Sequence, residues 1–312
     1  MPIDPELRDY LAAVASAVPP LAVPTPGARR ARMEQIARLF PFPPDQVARQ
    51  DHWLTMPGRE IFMRIYRSRA GRLPAILYLH GGGWVAGSVN THDGICAALA
   101  NEADAVVVSV QYRLAPENPF PAPNEDAFSA LQWLADSAGD LDIDVSRIAL
   151  AGDSAGAHLA LGAAIEARDR GGPPIALQIL FYPVVAPDFE TASYREHANS
   201  TLTRADMMEY WDHYLPADRT RADHRALPLR APLRGLPSTH VVVAGLDPLH
   251  DEGVTLVEEL QRHGVDAVLV DEPTLAHGFL RASPFVRRAR EALTAAALAA
   301  GKALRRAAVA AD

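Results

Sequence analysis

Residues 147–160 read Arg-Ile-Ala-Leu-Ala-Gly-Asp-Ser-Ala-Gly-Ala-His-Leu-Ala, and this stretch decides the fold. Its apolar start, residues 148–151, predicts a buried strand, and the stretch from Ala157 onward predicts a helix. Between them, two glycines flank Ser154 in the pattern G-x-S-x-G. A sharp turn from strand to helix lifts a serine hydroxyl clear of the sheet, and glycines avoid Cβ clashes there. Alone, the pattern also fits a glycine-rich turn with an incidental serine.

The same rhythm of short apolar runs and helical stretches continues along the chain. Strands are predicted over residues 61–66, 75–79, 105–110, 148–151, 176–181, 241–244 and 267–270. Helices are predicted over residues 94–102, 124–137, 157–170 and 249–262. Strands that alternate with helices predict an α/β protein with a mostly parallel, doubly wound sheet.

Two segments depart from this rhythm. In the N-terminal arm, Asp4 is suited to cap a helix that starts at Pro5, and a second helix is predicted near residues 28–39. From about residue 186 to 237 the alternation stops, and aromatic residues and methionines follow a helical pattern. We expect this insertion to pack over the sheet rather than to form a separate domain. The Ala-rich tail, 286–311, predicts a closing surface helix rather than a membrane attachment.

A nucleophilic serine needs a base, and in this architecture an acid and then a histidine follow it, each on a loop after a strand. Asp247 comes just after the predicted strand 241–244, and His277 comes after the predicted strand 267–270. The sequence therefore predicts Asp247 and His277 as the partners of Ser154.

Rival residues fit these two positions less well. Asp251 is expected one turn into a helix, and Asp271 lies too near its strand. His250 begins a helix. His263 stands at a helix end, where the helix dipole favours a positive charge, so a surface role is expected for it.

A glycine-rich segment, His80-Gly81-Gly82-Gly83-Trp84, follows the predicted strand 75–79. Consecutive glycines leave backbone N–H groups unshielded, and two such donors plus the amide of Ala155 would surround a tetrahedral oxyanion. A flexible glycine turn is the alternative. A phosphate-binding loop is disfavoured because the Gly-Lys-Ser/Thr ending is missing. His80 precedes the serine in the chain, so a structural role is expected for it.

Composition and short motifs limit the class of protein, its partners and its location. The 312 residues are 49% hydrophobic and 22% charged, which is ordinary for a globular protein, and the net charge of -8 argues against a nucleic-acid partner. A lone cysteine, Cys96, cannot form an internal disulfide. The sequence has neither the pattern of a signal peptide nor a long apolar run, so a cytoplasmic protein without a membrane span is expected. No zinc-ligand spacing such as H-E-x-x-H is present, and we predict no metal.

Five segments together resemble the hormone-sensitive lipase family of α/β-hydrolases, the bacterial family IV esterases. They are HGGGW at 80–84, YRLAPE at 112–117, GDSAG at 152–156, DPLHDEG at 247–253 and HGF at 277–279. The resemblance is co-linear over nearly the whole chain. One departure is Ala157, where the family usually has glycine, and this adds one methyl group at a helix start.

The resemblance implies an α/β-hydrolase fold with about eight strands and a helical cap. The cap would comprise residues 1–50 and 186–225, and the catalytic core would comprise residues 51–185 and 226–312. The resemblance also implies that Ser154 is the nucleophile, Asp247 the acid and His277 the base, with oxyanion donors at Gly82, Gly83 and Ala155. The residues predicted to line the substrate pocket are Trp84, Asp153, Met207, Tyr210 and Trp211.

The same resemblance implies a carboxylic ester hydrolase that uses no cofactor. Its substrate would be a small-molecule ester with a short or medium acyl chain, and a homodimer through a sheet edge is implied. A peptidase or amidase on the same fold is the alternative enzyme, although an aromatic-rich cap suits acyl groups better than peptides. A non-catalytic small-molecule receptor would have lost triad residues, whereas this chain keeps all three.

Overall fold

The computed structural model of the chain describes residues 1–197, 200–215 and 223–310. Its centre is one eight-stranded sheet with the strand order β1-β2-β4-β3-β5-β6-β7-β8. The strands are β1 Ala48–Met56, β2 Arg59–Arg67, β3 Leu73–Leu79, β4 Val106–Gln111, β5 Ile143–Asp153, β6 Leu177–Phe181, β7 Ser238–Leu246 and β8 Ala267–Ala276. Among the described residues, the antiparallel pairs are β1 with β2 and β2 with β4, and the other five pairs are parallel, so the predicted mostly parallel sheet is confirmed.

Helices cover both faces of the sheet, as a doubly wound fold requires. They are α1 Pro5–Ala17, α2 Pro26–Leu39, α3 Asp93–Ala103, α4 Ala122–Asp136, α5 Ala155–Arg170, α6 Ala192–Glu196, α7 Arg204–Tyr214, α8 His250–Arg262 and α9 Arg287–Ala310. Two hydrophobic cores result, one on each face of the sheet. Within the described residues, no helix combines the length and the apolar composition that a membrane crossing would need.

Local sequence explains where several helices begin. Asp4 accepts hydrogen bonds from the amides of Glu6 (2.9 Å) and Leu7 (3.1 Å), so the predicted N-cap of α1 is confirmed. Thr203 caps α7, and the side chain of Asp206 in turn accepts from the Thr203 amide, which completes a capping box. These caps fix the first turns of α1 and α7, and α7 contributes residues to the candidate site.

The prediction missed β1 and underestimated the length of β5 and β8. The residues of β1 are mostly polar and exposed, and they give no apolar run. The strand exists because its backbone pairs with β2 along its length, from Ala48 opposite Arg67 to Met56 opposite Arg59. The predicted cap boundary at residue 50 therefore falls inside a strand. The insertion prediction partly concerns residues 198–199 and 216–222, which lie outside the described residues.

Candidate active site

Ser154 occupies the turn between β5 and α5 with a backbone φ of 54°. Few residues with a Cβ adopt this conformation, which costs of order 1–3 kcal/mol and is common at active sites. The turn is held because the Ser154 amide donates to the carbonyl of Phe181 over 2.9 Å. Close contact also excludes a side chain at Gly156, where an added Cβ would collide with the carbonyl oxygen of Leu79. The glycine pattern thus reflects how tightly the turn packs on the neighbouring strand.

Three side chains from separate strand ends form one hydrogen-bonded chain. The Ser154 hydroxyl lies 3.0 Å from Nε2 of His277, and Nδ1 of His277 lies 2.7 Å from Oδ2 of Asp247. Oδ1 of Asp247 accepts the Leu249 amide over 2.9 Å, which fixes the carboxylate in the turn after β7. Asp247 is fully buried, whereas the His277 side chain is 11% exposed. The arrangement can carry a proton from the hydroxyl to a histidine whose charged form faces a buried carboxylate.

The rival residues lie elsewhere. Asp251 accepts the Ser193 amide over 2.9 Å, at the start of α6. Asp271 is part of β8 and faces His250 at 3.4 Å, near the surface. Nδ1 of His263 lies 2.8 Å from the carbonyl of Glu259 at the end of α8. None of them has a hydrogen bond to Ser154 or His277.

The glycine-rich segment after β3 turns back over Ser154. Gly82 and Gly83 have φ values of 131° and 61°, which residues with a Cβ rarely adopt. Within the described residues, their amides donate to no protein acceptor. The amide of Ala155 lies in the first turn of α5, where helix amides have no intrahelical acceptor. These three predicted donors therefore remain available to an anion.

Asp153 anchors this segment from the strand side. Its Oδ1 accepts the Gly81 amide over 2.8 Å and the Tyr78 hydroxyl over 2.7 Å, and Nε2 of His92 lies 3.4 Å away. Burial alone would raise the pKa of Asp153, but His92 and the Tyr78 hydroxyl outweigh burial and hold it well below its usual value. Asp153 is therefore an ionised hydrogen-bond acceptor beside Ser154.

His80 is buried and takes no part in the chain of hydrogen bonds at Ser154. Its ring stacks on Tyr112 at 4.3 Å, and Nδ1 lies 3.0 Å from the Gly81 carbonyl. Burial lowers the pKa of His80 to about 3, so the ring is neutral at physiological pH.

A cavity of about 200 Å³ opens beside Ser154 and His277. Four of the five predicted pocket residues line it, namely Trp84, Asp153, Met207 and Tyr210. Trp211 does not line it, because its ring packs behind Trp84 with centroids 4.8 Å apart. The remaining wall comes from α2, α7, the segment before α7 and the loops after β3, β5, β6 and β8.

Side chains of the N-terminal arm and of the insertion hold this wall in place. Thr201 donates to the carbonyl of His277 over 3.1 Å, and Ser200 donates to the carbonyl of Leu246 over 2.8 Å. On the other side, Arg30 of α2 donates to the carbonyl of Val85 over 2.7 Å. Sequence reasoning did not find these contacts, because isolated serines, threonines and arginines carry no pattern.

Two further residues escaped the sequence analysis. Tyr182 has a φ of 36°, and its ring meets that of His277 edge-on with centroids 4.9 Å apart. Arg281 lies one turn after His277 and lines the cavity. Among the described residues, no group of three or more His, Cys, Asp or Glu side chains could hold a metal ion.

Comparison with known proteins agrees with this architecture. The sequence profile of the alpha/beta hydrolase fold family matches residues 76–281. The carboxylesterase NlhH of Mycobacterium tuberculosis is 41% identical over 240 residues, which cover 75% of each chain. The ethyl acetate hydrolase of Pseudomonas putida is 35% identical over 77% of each chain. The solved structure of a hyperthermophilic esterase from Pyrobaculum calidifontis superposes with a TM-score of 0.88 at 39% identity, covering 97% of this chain and 99% of that one.

The fold and these relatives define a serine carboxylic ester hydrolase of the α/β-hydrolase class. Within that class, the chain belongs to the hormone-sensitive lipase family, the bacterial family IV carboxylesterases.

Proposed function

We propose that the chain hydrolyses esters of short- and medium-chain carboxylic acids through an acyl-enzyme on Ser154. The observation that carries the proposal is the unbroken hydrogen-bond chain Ser154–His277–Asp247, which borders the cavity. A serine hydroxyl hydrogen-bonded to a histidine that a buried carboxylate orients is the arrangement that activates serine for acyl transfer.

In the first half of the proposed reaction, Ser154 attacks the ester carbonyl while His277 takes the hydroxyl proton. Asp247 stabilises the imidazolium that forms. The oxyanion accepts hydrogen bonds from the amides of Gly82, Gly83 and Ala155, which have no protein acceptor to give up. Preorganised donors of this kind are worth about 10²–10³ in rate each. His277 then gives its proton to the leaving alcohol, and water repeats the sequence on the acyl-enzyme.

The proposed preference for short acyl chains rests on the size and lining of the cavity. Its volume of about 200 Å³ is below the roughly 300–1,000 Å³ of most ligand pockets. Met33, Ile36, Leu202 and Met207 contribute apolar surface to its wall. Each buried methylene contributes about 0.8 kcal/mol until the space is full. Activity should therefore rise with chain length over the shortest acyl groups and then fall.

We also propose that the N-terminal arm and the insertion act together as the cap, with the catalytic residues on the core. Support comes from Arg29 of α2, whose guanidinium contacts Asp206 and Glu209 of α7. Because β1 starts at Ala48, we put the proposed boundary of the cap just before residue 48 rather than at residue 50. The homodimer through a sheet edge stays a prediction.

Two measurements test the proposal. Treatment with diethyl p-nitrophenyl phosphate should label Ser154 alone and abolish activity, and peptide mass spectrometry locates the adduct. A series of p-nitrophenyl esters from acetate to palmitate should give its highest kcat/KM at an acyl chain of about two to eight carbons. An adduct on another serine would contradict the assignment of the nucleophile. Faster turnover of palmitate than of butyrate would instead contradict the short pocket.

A further inference from the structure

The cavity beside Ser154 is lined by charged side chains of both signs, and not all of them are paired through hydrogen bonds. Three arginines line it, Arg29, Arg32 and Arg281, together with two acidic residues, Asp153 and Asp206. A charge that is partly withdrawn from water is costly unless an opposite charge meets it. The pairing of each group therefore shows whether an anion is missing from the site.

Arg29 is fully paired. Its guanidinium donates to Asp206 over 2.9 Å, to Glu209 over 2.7 Å and to the Tyr210 hydroxyl over 3.0 Å. Both oxygens of Asp206 are therefore occupied, because Oδ1 accepts from Arg29 and Oδ2 accepts from the amide and hydroxyl of Thr203. Asp153 is committed as well, to the Gly81 amide and the Tyr78 hydroxyl. Neither acidic residue of the cavity forms a hydrogen bond with Arg32 or Arg281, although the charge of Arg281 helps to lower the pKa of Asp153.

Among the described residues, neither Arg32 nor Arg281 has a carboxylate within hydrogen-bond distance. The guanidinium of Arg32 donates only to backbone carbonyls, those of Val18 at 3.2 Å and Pro19 at 3.3 Å. Nη2 of Arg281 lies 2.9 Å from the point that a Cβ on Gly278 would occupy, which puts this charge directly beside the residue after His277. Both side chains are half-buried.

The two arginines also oppose each other. Arg32 and Arg281 line the same cavity, and burial and then the positive charge of Arg281 lower the pKa of Arg32. Like charges held together in a partly desolvated cavity are stabilised by an anion between them. Guanidinium groups match the planar geometry of a carboxylate, which can accept two parallel hydrogen bonds.

We propose that Arg32 and Arg281 bind a carboxylate carried by the ester substrate, so that the enzyme prefers anionic esters over neutral ones of the same shape. The proposal rests on the proposed function, because it concerns substrate choice at the Ser154 site. Apolar side chains such as Met33 and Ile36 share the cavity with the two arginines and suit a short methylene spacer. The carboxylate belongs either to the acyl group, as in a half-ester of a dicarboxylic acid, or to the alcohol.

The experiment compares esters that differ only in one charged group. For the acyl arm, monoethyl glutarate is compared with the ethyl ester of glutaric acid monoamide. For the alcohol arm, 4-acetoxybutanoate is compared with 4-acetoxybutanamide. Hydrolysis is followed by titration of released acid at pH 7. In one arm we expect kcat/KM for the carboxylate to exceed that for the amide by about tenfold or more, because charged hydrogen bonds are about that strong.

Variants then test whether these residues cause the preference. Arg281→Gln should lower the carboxylate-to-amide ratio by about tenfold, and the double variant Arg32→Gln/Arg281→Gln should bring it near one. The ratio is taken within each variant, so a loss of folded enzyme cancels. Arg262→Gln is the matched control, since it removes a 63% exposed arginine of α8 outside the cavity. Added salt should reduce the wild-type ratio, because it screens the attraction.

The outcomes separate the two proposals. Wild-type ratios of one or less in both arms would overturn the anionic preference while leaving esterase activity intact. A ratio that survives in the double variant would overturn the assignment to Arg32 and Arg281. Absence of any ester hydrolysis, together with no organophosphate adduct on Ser154, would contradict the proposed function itself.

Discussion

The sheet edge that carries Ser154 and the two helices that cover it are held by different kinds of contact. At the edge, backbone packs on backbone, and a Cβ at Gly156 would collide with the carbonyl of Leu79. Over it, α2 and α7 meet through side chains, above all Arg29 with Asp206 and Glu209. The edge therefore tolerates few residue types, whereas the helix junction depends on single long side chains.

This difference explains which substitutions should affect chemistry and which should affect substrate access. The position of Ser154 relative to His277 is set by turns that continue three strands of one sheet. Substitutions of the side chains of Ser154, His277 or Asp247 should lower kcat and leave the fold intact. Changes at the junction of α2 and α7 should instead alter KM and the stability of the cap, because they do not touch the reacting atoms.

The largest effect on turnover is expected for Asp247→Asn, which should lower kcat by about 10³–10⁴. The new Oδ1 can still accept the Leu249 amide, so its NH₂ group would face Nδ1 of His277. That contact favours the tautomer with the proton on Nε2, which cannot accept the proton of Ser154. Steady-state hydrolysis of p-nitrophenyl butyrate measures the loss.

Asp251→Asn is the matched control for Asp247→Asn. Asp251 lies four residues further on and holds the start of α6 through the Ser193 amide. It should change kcat far less than Asp247→Asn. Equal losses in the two variants would mean that the acidic loop acts only by its overall charge, and the comparison between edge and cap would lose its basis.

Sequence reasoning found the edge because its constraints appear as motifs. The glycines around Ser154 and the loops that bear Asp247 and His277 follow from a strand–turn–helix rhythm that apolar runs indicate. Parallel strands bring their carboxyl ends to one edge, so placement along the chain sufficed. Where an apolar run was absent, as in β1, the prediction failed, since that strand depends on pairing with β2.

The cap was much less predictable. Its aromatic residues indicated helices, but nothing in the sequence distinguishes Tyr210, which lines the cavity, from Trp211, which packs behind Trp84. One residue of helical rotation separates them, and the docking of α7 decides the rotation. The positions of Arg29 and Arg281 in the cavity could not be predicted either, because a charged side chain in a helix or loop usually faces solvent.

An intermediate effect is expected for Arg29→Met. The change leaves Asp206 and Glu209 without their guanidinium partner and removes a donor from the Tyr210 hydroxyl. The arginine side chain is 11% exposed, so we expect a loss of about 1–3 kcal/mol in the free energy of unfolding. KM for p-nitrophenyl butyrate should rise several-fold as the cap loosens, with a smaller change in kcat.

Arg8→Met is the control for Arg29→Met. Arg8 is also in the N-terminal arm, but its ion pair with Asp9 is exposed, at 64% and 71%. Exposed pairs contribute little to stability, so this variant should unfold like the parent. If Arg8→Met and Arg29→Met lowered the free energy of unfolding in urea equally, the junction of α2 and α7 would not be the contact that holds the proposed cap.

The smallest effect on turnover is expected at Glu252, where the edge and the cap meet. This carboxyl on α8 accepts the amides of Val185 and Ala186 and the Tyr194 hydroxyl. Burial raises its pKa from 4.5 to about 8, and these hydrogen bonds only partly oppose that shift. Above pH 4.5 the unfolded chain releases this proton while the folded protein keeps it until about pH 8. The contribution of Glu252 to stability is therefore present in acid and is lost as the pH rises through this window.

Glu252→Gln should remove this dependence on pH. Glutamine can accept the two amides through Oε1 and donate to the Tyr194 hydroxyl through its NH₂ group, so the contacts persist. The free energy of unfolding, measured in urea, should then fall less steeply between pH 5 and pH 8 than it does in the parent. The difference between the two slopes should be at most about 1.4 kcal/mol per pH unit. Glu258→Gln, an exposed change on the same helix, is the control and should keep the parent slope. A parental slope in Glu252→Gln would show that Glu252 takes up no proton on folding in this pH range and that another group sets the slope.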